Sequence, residues 1–157
     1  MATRPARTRP PARRSRDRRF TVDASVFVNA FNPHETGHAA SLEILSRIQR
    51  RDDPIIVPTL LVTEVASAVA RAIDNTAGAL KYSAAITALE NLTLVTLTPA
   101  LARQAADLAA THRLRGADAI YVAVALRYGT VLVTRDGEQR ARGTAAVKCR
   151  TPEDALA

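Results

Sequence analysis

The sequence predicts an α/β fold with a mostly parallel central sheet, on three observations. Short runs rich in apolar and β-branched residues alternate with longer segments of helical periodicity. The 157 residues suffice for one domain with its own core, and 47% of them are hydrophobic, which is typical of a globular protein. The longest uninterrupted apolar run is too short to cross a bilayer, so no membrane association is expected.

The first half of the chain is expected to supply two strands and three or four helices. Order should begin at Phe20, where FTVD reads as a short strand and ASVFVNAF continues as a helical turn. ASLEILSRIQR carries Leu42, Leu45 and Ile48 at helical spacing. PIIVP is a short buried strand between prolines, and two apolar helices follow it, TLLVTEVASAVARAI and AGALKYSAAITALENL.

The second half repeats the alternation. TLVTL reads as a strand, and Pro99 stands where the helix ALARQAADLAATHRL can begin. After Gly116, ADAIYVAVALRYG is a helix that ends at Gly129. TVLVT is a further strand, and AAVKC is the candidate for the last one.

The positive charge of the chain is concentrated at its N-terminus. The formal net charge is +7, and residues 1–19 hold eight arginines and one acid, Asp17. This segment has three prolines and no hydrophobic periodicity, so it is interpreted as a disordered basic arm ahead of a domain at residues 20–157. The alternative is a misassigned start site. The single cysteine, Cys149, fits a reducing cytoplasm.

Four carboxylates stand in unusual surroundings. Asp23 ends the first strand, Glu64 lies inside an apolar helix, Asp118 opens the helix DAIYVAVA, and Asp136 follows the strand TVLVT. The three aspartates have structural alternatives as helix caps or turn residues. Glu64 is hardest to explain structurally, because an unpaired buried carboxylate is expensive. Because ligand sites of parallel sheets lie beyond the carboxyl ends of the strands, the four are expected to meet.

Carboxylates this close would repel one another unless a cation joined them. Mg²⁺ or Mn²⁺ prefers oxygen ligands and can activate water for attack on a phosphodiester. The sequence therefore favours metal-dependent phosphodiester hydrolysis without a protein nucleophile.

Four blocks of sequence carry a family resemblance: VDASVFVNAF, VPTLLVTEVASAVAR, LRGADAIYVAVALRYG and VLVTRD, in this order. Over about residues 20–150 the chain resembles PIN-domain ribonucleases, most closely the VapC-type toxins of toxin–antitoxin pairs. The resemblance implies a three-layer α/β/α sandwich that cleaves RNA, a small antitoxin partner and a homodimer. The matching residues imply site roles: Asp23, Glu64, Asp118 and Asp136 as catalytic metal ligands, Ser25 and Thr134 as hydroxyls that orient them, and Arg115 and Arg135 as possible RNA contacts.

The segment FNPHETGHAAS contains His34, Glu35 and His38 in the H-E-x-x-H pattern of zinc proteases. That chemistry needs a continuous helix, and Pro33 and Gly37 interrupt the segment. The preferred interpretation is a helix start, with Asn32 as the cap and Pro33 as the first helical residue.

Three other function classes remain as alternatives. A haloacid-dehalogenase phosphatase wants a second aspartate where this chain has Ser25. A phosphoacceptor receiver domain would use Asp23 and Lys148 but leaves Glu64 without a role. A catalytically silent PIN scaffold that binds RNA or a partner is the main alternative to the nuclease.

Overall fold

The structure is a computed structural model that describes residues 18–157. Most of the expected basic arm, residues 1–17, lies outside the described residues. Within residues 18–157 there are five strands and eight helices: β1 (Phe20–Val22), α1 (Ala24–Phe31), α2 (His38–Arg50), β2 (Ile55–Pro58), α3 (Leu60–Ile73), α4 (Thr76–Thr87), β3 (Leu92–Val95), α5 (Pro99–His112), α6 (Gly116–Tyr128), β4 (Val131–Val133), α7 (Gly137–Gly143), β5 (Cys149–Arg150) and α8 (Pro152–Leu156).

The five strands form one sheet in the order β3-β2-β1-β4-β5, and every pair is parallel. This confirms the predicted α/β/α class with a parallel central sheet. Strand β1 lies in the middle, with Phe20 opposite Ile55 on one side and Val131 on the other. Because all strands run the same way, the residues that follow β1 and β4 emerge at the same edge of the sheet.

Helix α6 is buried along its central part, which explains its composition. Ala119 and all residues from Tyr121 to Ala125 are buried. The helix contacts α5 on one side and strands β1, β2 and β4 on the other. A helix enclosed on both sides is apolar around most of its circumference, so its only early carboxylate, Asp118, stands out.

The ends of several elements differ from the sequence-based expectation. The last strand is Cys149–Arg150 rather than AAVKC, because residues 144–147 form a turn that donates back to Gly143 O. Helices α7 and α8 were not predicted, since seven and five residues are too few to show a period. Helix α4 starts at its Asn75 cap and ends at Thr87, earlier than expected.

Arg18 is joined to the folded part of the chain. Its guanidinium contacts Asp53 Oδ1 at 2.8 Å, and the Asp53 side chain is almost fully enclosed. This ion pair fastens the chain just before β1 to the turn that leads into β2. The division at residues 19 and 20 stays a prediction, but one arginine counted in the arm contacts the domain.

Among the described residues, no helix is both long and apolar enough to cross a membrane.

Candidate active site

The four carboxylates singled out in the sequence line a single cavity of about 630 Å³. Asp23 follows β1 and Asp136 follows β4 by two residues, while Glu64 and Asp118 reach the cavity from α3 and α6. Ser25 and Arg115 line the same cavity. Sequence positions spread over more than a hundred residues are thus brought together where the parallel strands end.

Asp23 is the most enclosed of the four acids, with 8% of its surface exposed. It caps helix α1 by accepting a hydrogen bond from Ser25 N at 2.9 Å. Its Oδ1 accepts from Gln139 Nε2 at 3.3 Å. Burial raises the pKa of Asp23, since the charged form loses its water, and these hydrogen bonds only partly offset the loss.

Glu64 faces the cavity from the middle of α3 and accepts a hydrogen bond from the Tyr121 hydroxyl at 2.7 Å. Burial raises the pKa of Glu64, and the charges of Asp23 and Asp118 raise it further. Burial also raises the pKa of Tyr121, which therefore stays a proton donor. The carboxylate that was hardest to explain as a core residue is thus held by a buried hydroxyl.

Arg115 lies between the two remaining acids. Its Nε donates to Asp118 Oδ2 at 2.8 Å, and its Nη2 contacts Asp136 Oδ2. Burial raises the pKa of Asp118 despite this partner. Asp136 is also partly buried, but the backbone N–H of Gln139 and the Arg115 guanidinium together hold its pKa below the ordinary value. Arg115 thus serves as counter-ion to both carboxylates.

The two hydroxyl residues, Ser25 and Thr134, contact the turns that carry Asp23 and Asp136. Thr134 is fully buried, and its Oγ1 accepts from Asp136 N at 3.0 Å. Ser25 Oγ accepts from Arg135 N at 3.1 Å and lies 3.5 Å from Thr134 Oγ1. These contacts join the turn after β1 to the turn after β4, so they set the spacing between Asp23 and Asp136.

The Arg135 side chain points elsewhere. Its Nη1 contacts Glu153 Oε1 at 3.1 Å on α8, and it approaches Gly37 O and Ser41 Oγ at the start of α2. The guanidinium is not part of the cavity lining. An RNA contact by Arg135 stays a prediction, and in this arrangement its side chain joins α2 to α8.

Two polar residues near the acids were not anticipated. Gln139 is fully buried on α7, and its Oε1 has no hydrogen-bond partner among the described residues. Arg71 lines the cavity from the last turn of α3. The spacing could have identified Arg71 from the sequence. It lies seven residues after Glu64 on the same helix, and that spacing returns to the same helix face.

The donor set fits a hard divalent cation in its chemistry, since all four acids offer carboxylate oxygens to one cavity. Burial raises the pKa values of Asp23, Glu64 and Asp118, so a cation in the cavity would favour their ionised forms. Within residues 18–157, however, no three His, Cys, Asp or Glu side chains converge as a ready-made ligand set. Arg115 accounts for part of this, because it already engages Asp118 and Asp136.

The HETGH segment forms a turn rather than the expected helix start. Asn32 ends α1, and α2 begins only at His38, after Gly37 with a φ of 82°. The predicted helix start at Pro33 is therefore wrong, because the left-handed glycine interrupts the backbone. Asn32 Oδ1 accepts from His34 N as a turn residue, and the continuous helix that a zinc motif needs is absent here.

Comparisons with known proteins agree with the fold described above. A family model described as PIN domain matches residues 20–144. The VapC20 toxin of Mycobacterium tuberculosis, which cleaves the sarcin–ricin loop, has a similar structure, with a TM-score of 0.68, 20% identity and coverage of 79% of this chain and 95% of that one.

Two further solved structures are similar. For VapBC2 from Rickettsia felis, bound to a promoter DNA fragment, the TM-score is 0.62 at 12% identity, with 84% and 97% coverage. For a toxin–antitoxin complex from Klebsiella pneumoniae it is 0.60 at 18% identity, with 85% and 97% coverage. At these identities the likeness shows the fold alone. No curated protein sequence matches the chain.

Proposed function

The chain belongs to the PIN-domain family, and from that premise we propose that it is a Mg²⁺- or Mn²⁺-dependent endoribonuclease, the toxin of a type II toxin–antitoxin pair. The observation that carries the proposal is the meeting of Asp23, Glu64, Asp118 and Asp136 in one cavity. Among the described residues lining that cavity there is no cysteine or histidine, so covalent catalysis by such a nucleophile has no candidate there.

Each side chain has a distinct part in the proposed reaction. Asp23, Glu64 and Asp118 would hold the cation, and Asp136 would complete the acidic set. Ser25 and Thr134 keep the two loops that carry Asp23 and Asp136 at a fixed spacing. Tyr121 and Gln139 orient Glu64 and Asp23 through hydrogen bonds to single carboxylate oxygens.

A Mg²⁺ or Mn²⁺ ion held by these oxygens would supply the activation of water and the neutralisation of phosphate charge that hydrolysis requires. The Arg115 guanidinium would then exchange Asp118 and Asp136 for a phosphate, because it binds either anion through the same donors. Arg115 is thus proposed as an RNA contact as well as a counter-ion.

Support for the toxin assignment comes from the similar structures, among them a toxin that cleaves an RNA loop and complexes with an antitoxin. We therefore propose a small antitoxin as partner, RNA as substrate, action in the cytoplasm and a homodimeric assembly. The structure offers an apolar groove for such a partner between α2 and α4, lined by Leu45, Tyr82, Ala85 and Leu89.

A catalytically silent scaffold is the second candidate. The presence of all four acids at one cavity argues against it, because their mutual repulsion costs stability that a binding scaffold would have no reason to keep. Turnover decides between the two.

Purified protein should cleave RNA in Mg²⁺ or Mn²⁺ and stop in EDTA. Asp118→Asn should remove nearly all cleavage while the protein stays folded, since the two side chains have the same shape. Asp107→Asn is the matched control, because Asp107 is exposed on α5 and remote from the cavity lining. Undiminished cleavage by folded Asp118→Asn would refute the assignment.

A further inference from the structure

The cavity continues beyond the acids along one face of α3. Thr63, Glu64, Ser67, Ala68 and Arg71 all line it. Their spacing of three and four residues places them on one side of the helix. Arg71 lies seven residues after Glu64, about 10 Å further along the helix axis at 1.5 Å per residue. The cavity therefore joins an acidic end to a basic end.

Arg71 differs from the other arginine of the cavity in its partners. Arg115 is engaged by two carboxylates. Arg71 donates to the neutral Ser67 Oγ, and within residues 18–157 it lies at ion-pair distance from no carboxylate. Among the residues that the structure describes, most of the five N–H donors of this exposed guanidinium therefore have no acceptor, and Arg71 lines the cavity that holds the acids.

The space between the two ends suits a flexible strand. Ala24, Val28 and Ala68 line the same cavity, and their side chains are short and offer no hydrogen bonds to a base edge. A strand whose scissile phosphate lies at the carboxylates would pass these residues and bring another phosphate towards α3. Recognition there would rest on the backbone of the nucleic acid rather than on its sequence.

We propose that Arg71, steadied by Ser67, binds a phosphate of single-stranded RNA at least one nucleotide away from the bond that is cleaved. The inference deepens the proposed ribonuclease function and rests on it. The planar guanidinium fork matches a phosphate through paired N–H donors. A cation at this end also offsets the repulsion between the substrate and the acids, so it fixes which way the strand lies across the cavity.

The first test measures the affinity for a labelled single-stranded RNA oligonucleotide against salt, in EDTA and again in Ca²⁺. Each phosphate contact adds about 0.7 to the slope of log affinity against log salt for single strands. Arg71→Ala should lower the slope by about 0.7 in Ca²⁺, while Arg71→Lys should keep it. Arg103→Ala is the matched control, since Arg103 is exposed on α5 outside the cavity.

The second test is cleavage. Loss of one charge-assisted contact should raise KM for an oligonucleotide about tenfold with little change in kcat. Cleavage of a dinucleotide, which is too short to reach Arg71, should be unaffected. Equal salt slopes for the wild type and Arg71→Ala, both in EDTA and in Ca²⁺, would overturn the inference, leaving Arg71 a solvated surface residue. Absence of wild-type cleavage would instead refute the proposed function, while the slope would still decide whether Arg71 contacts phosphate.

Discussion

The Tyr121 hydroxyl donates a 2.7 Å hydrogen bond to Glu64 Oε2 and so joins α6 to α3 inside the protein. Tyr121 is fully buried and lies one turn after Asp118 on α6. The bond therefore sets the position of one carboxylate of the proposed metal site relative to the helix that carries another. The hydrogen bond lies away from solvent, where the Tyr121 hydroxyl has few other partners.

Tyr121→Phe should lower kcat about tenfold and the free energy of unfolding by about 1 kcal/mol, the usual worth of one buried hydrogen bond. Because this bond lowers the pKa of Glu64 against burial, its loss should move the acidic limb of the pH–rate profile to higher pH. Tyr128→Phe, near the end of the same helix, is the control. An unchanged pH–rate profile would show that Tyr121 contributes to packing and does not influence the ionisation of Glu64.

Asp23→Asn should stabilise the protein in the absence of metal. The pKa of Asp23 is raised in the folded state, so the unfolded chain releases its proton first, and stability falls as pH rises from the ordinary value of 3.8 through the raised one. Asparagine removes this cost and still caps α1. A gain of about 1 kcal/mol would raise Tm by about 2–4 °C at neutral pH in EDTA.

Bound metal should reverse the stability order of the wild type and Asp23→Asn. Mn²⁺ should raise the Tm of the wild type by mass action and leave Asp23→Asn nearly unchanged. Asp107→Asn should follow the wild type in both conditions. Equal Mn²⁺ shifts in all three proteins would remove Asp23 from the metal site.

Deleting residues 1–17 should weaken RNA binding most at low salt and flatten its salt dependence, because this segment holds six of the eight N-terminal arginines. Cleavage positions should not change, since the domain sets the geometry at the acids.

The deletion must spare Arg18. Removing Arg18 leaves the buried Asp53 without its cation and is expected to lower the stability of the domain.

Identical affinity and salt slope in the protein lacking residues 1–17 would make the arm a bystander or the product of a misassigned start. Thermal unfolding of the same deletion serves as the control, because its Tm should match that of the full chain.

Ala85→Glu should abolish binding of the antitoxin and leave RNA cleavage intact. Ala85 is exposed on α4 and lines the apolar groove, whereas its neighbour Ala84 is exposed but outside the groove. A charge in the groove disfavours binding of the apolar face of an amphipathic helix. The antitoxin should therefore fail to inhibit Ala85→Glu, and cells that co-express the two should stop growing. Ala84→Glu should be neutralised like the wild type.

Healthy growth of cells that express the soluble, active chain alone would argue against a dedicated inhibitor altogether. Equal neutralisation of both glutamate variants would move the partner to another surface.

The sequence predicted best which acidic residues gather where the parallel strands end. Asp23 and Asp136 were expected at the same edge because parallel strands present their carboxyl ends together, and the cavity contains both. Glu64 and Asp118 were recognisable as charges inside apolar helices. Their catalytic role stays a prediction.

The sequence could not predict contacts that depend on short or irregular segments. Gln139 lies on the seven-residue α7, and nothing local distinguishes it from a surface glutamine; only the tertiary fold places its amide against Asp23. Arg135 directly follows Thr134, which was predicted to orient the acids. The Arg135 side chain nevertheless contacts Glu153 on α8. Gly37 delayed the start of α2 because a positive φ overrides the capping pattern.

The central position of β1 has a consequence for synthesis on the ribosome. Asp23 and its partner Gln139 are 116 residues apart, and β1 pairs with β4 near the other end of the chain. Contacts this distant form slowly and only after both partners have emerged. A nascent chain that has not yet reached β4 lacks Asp136 and the strand that pairs with β1 beside Asp23, so we expect the protein to remain inert until translation is nearly finished.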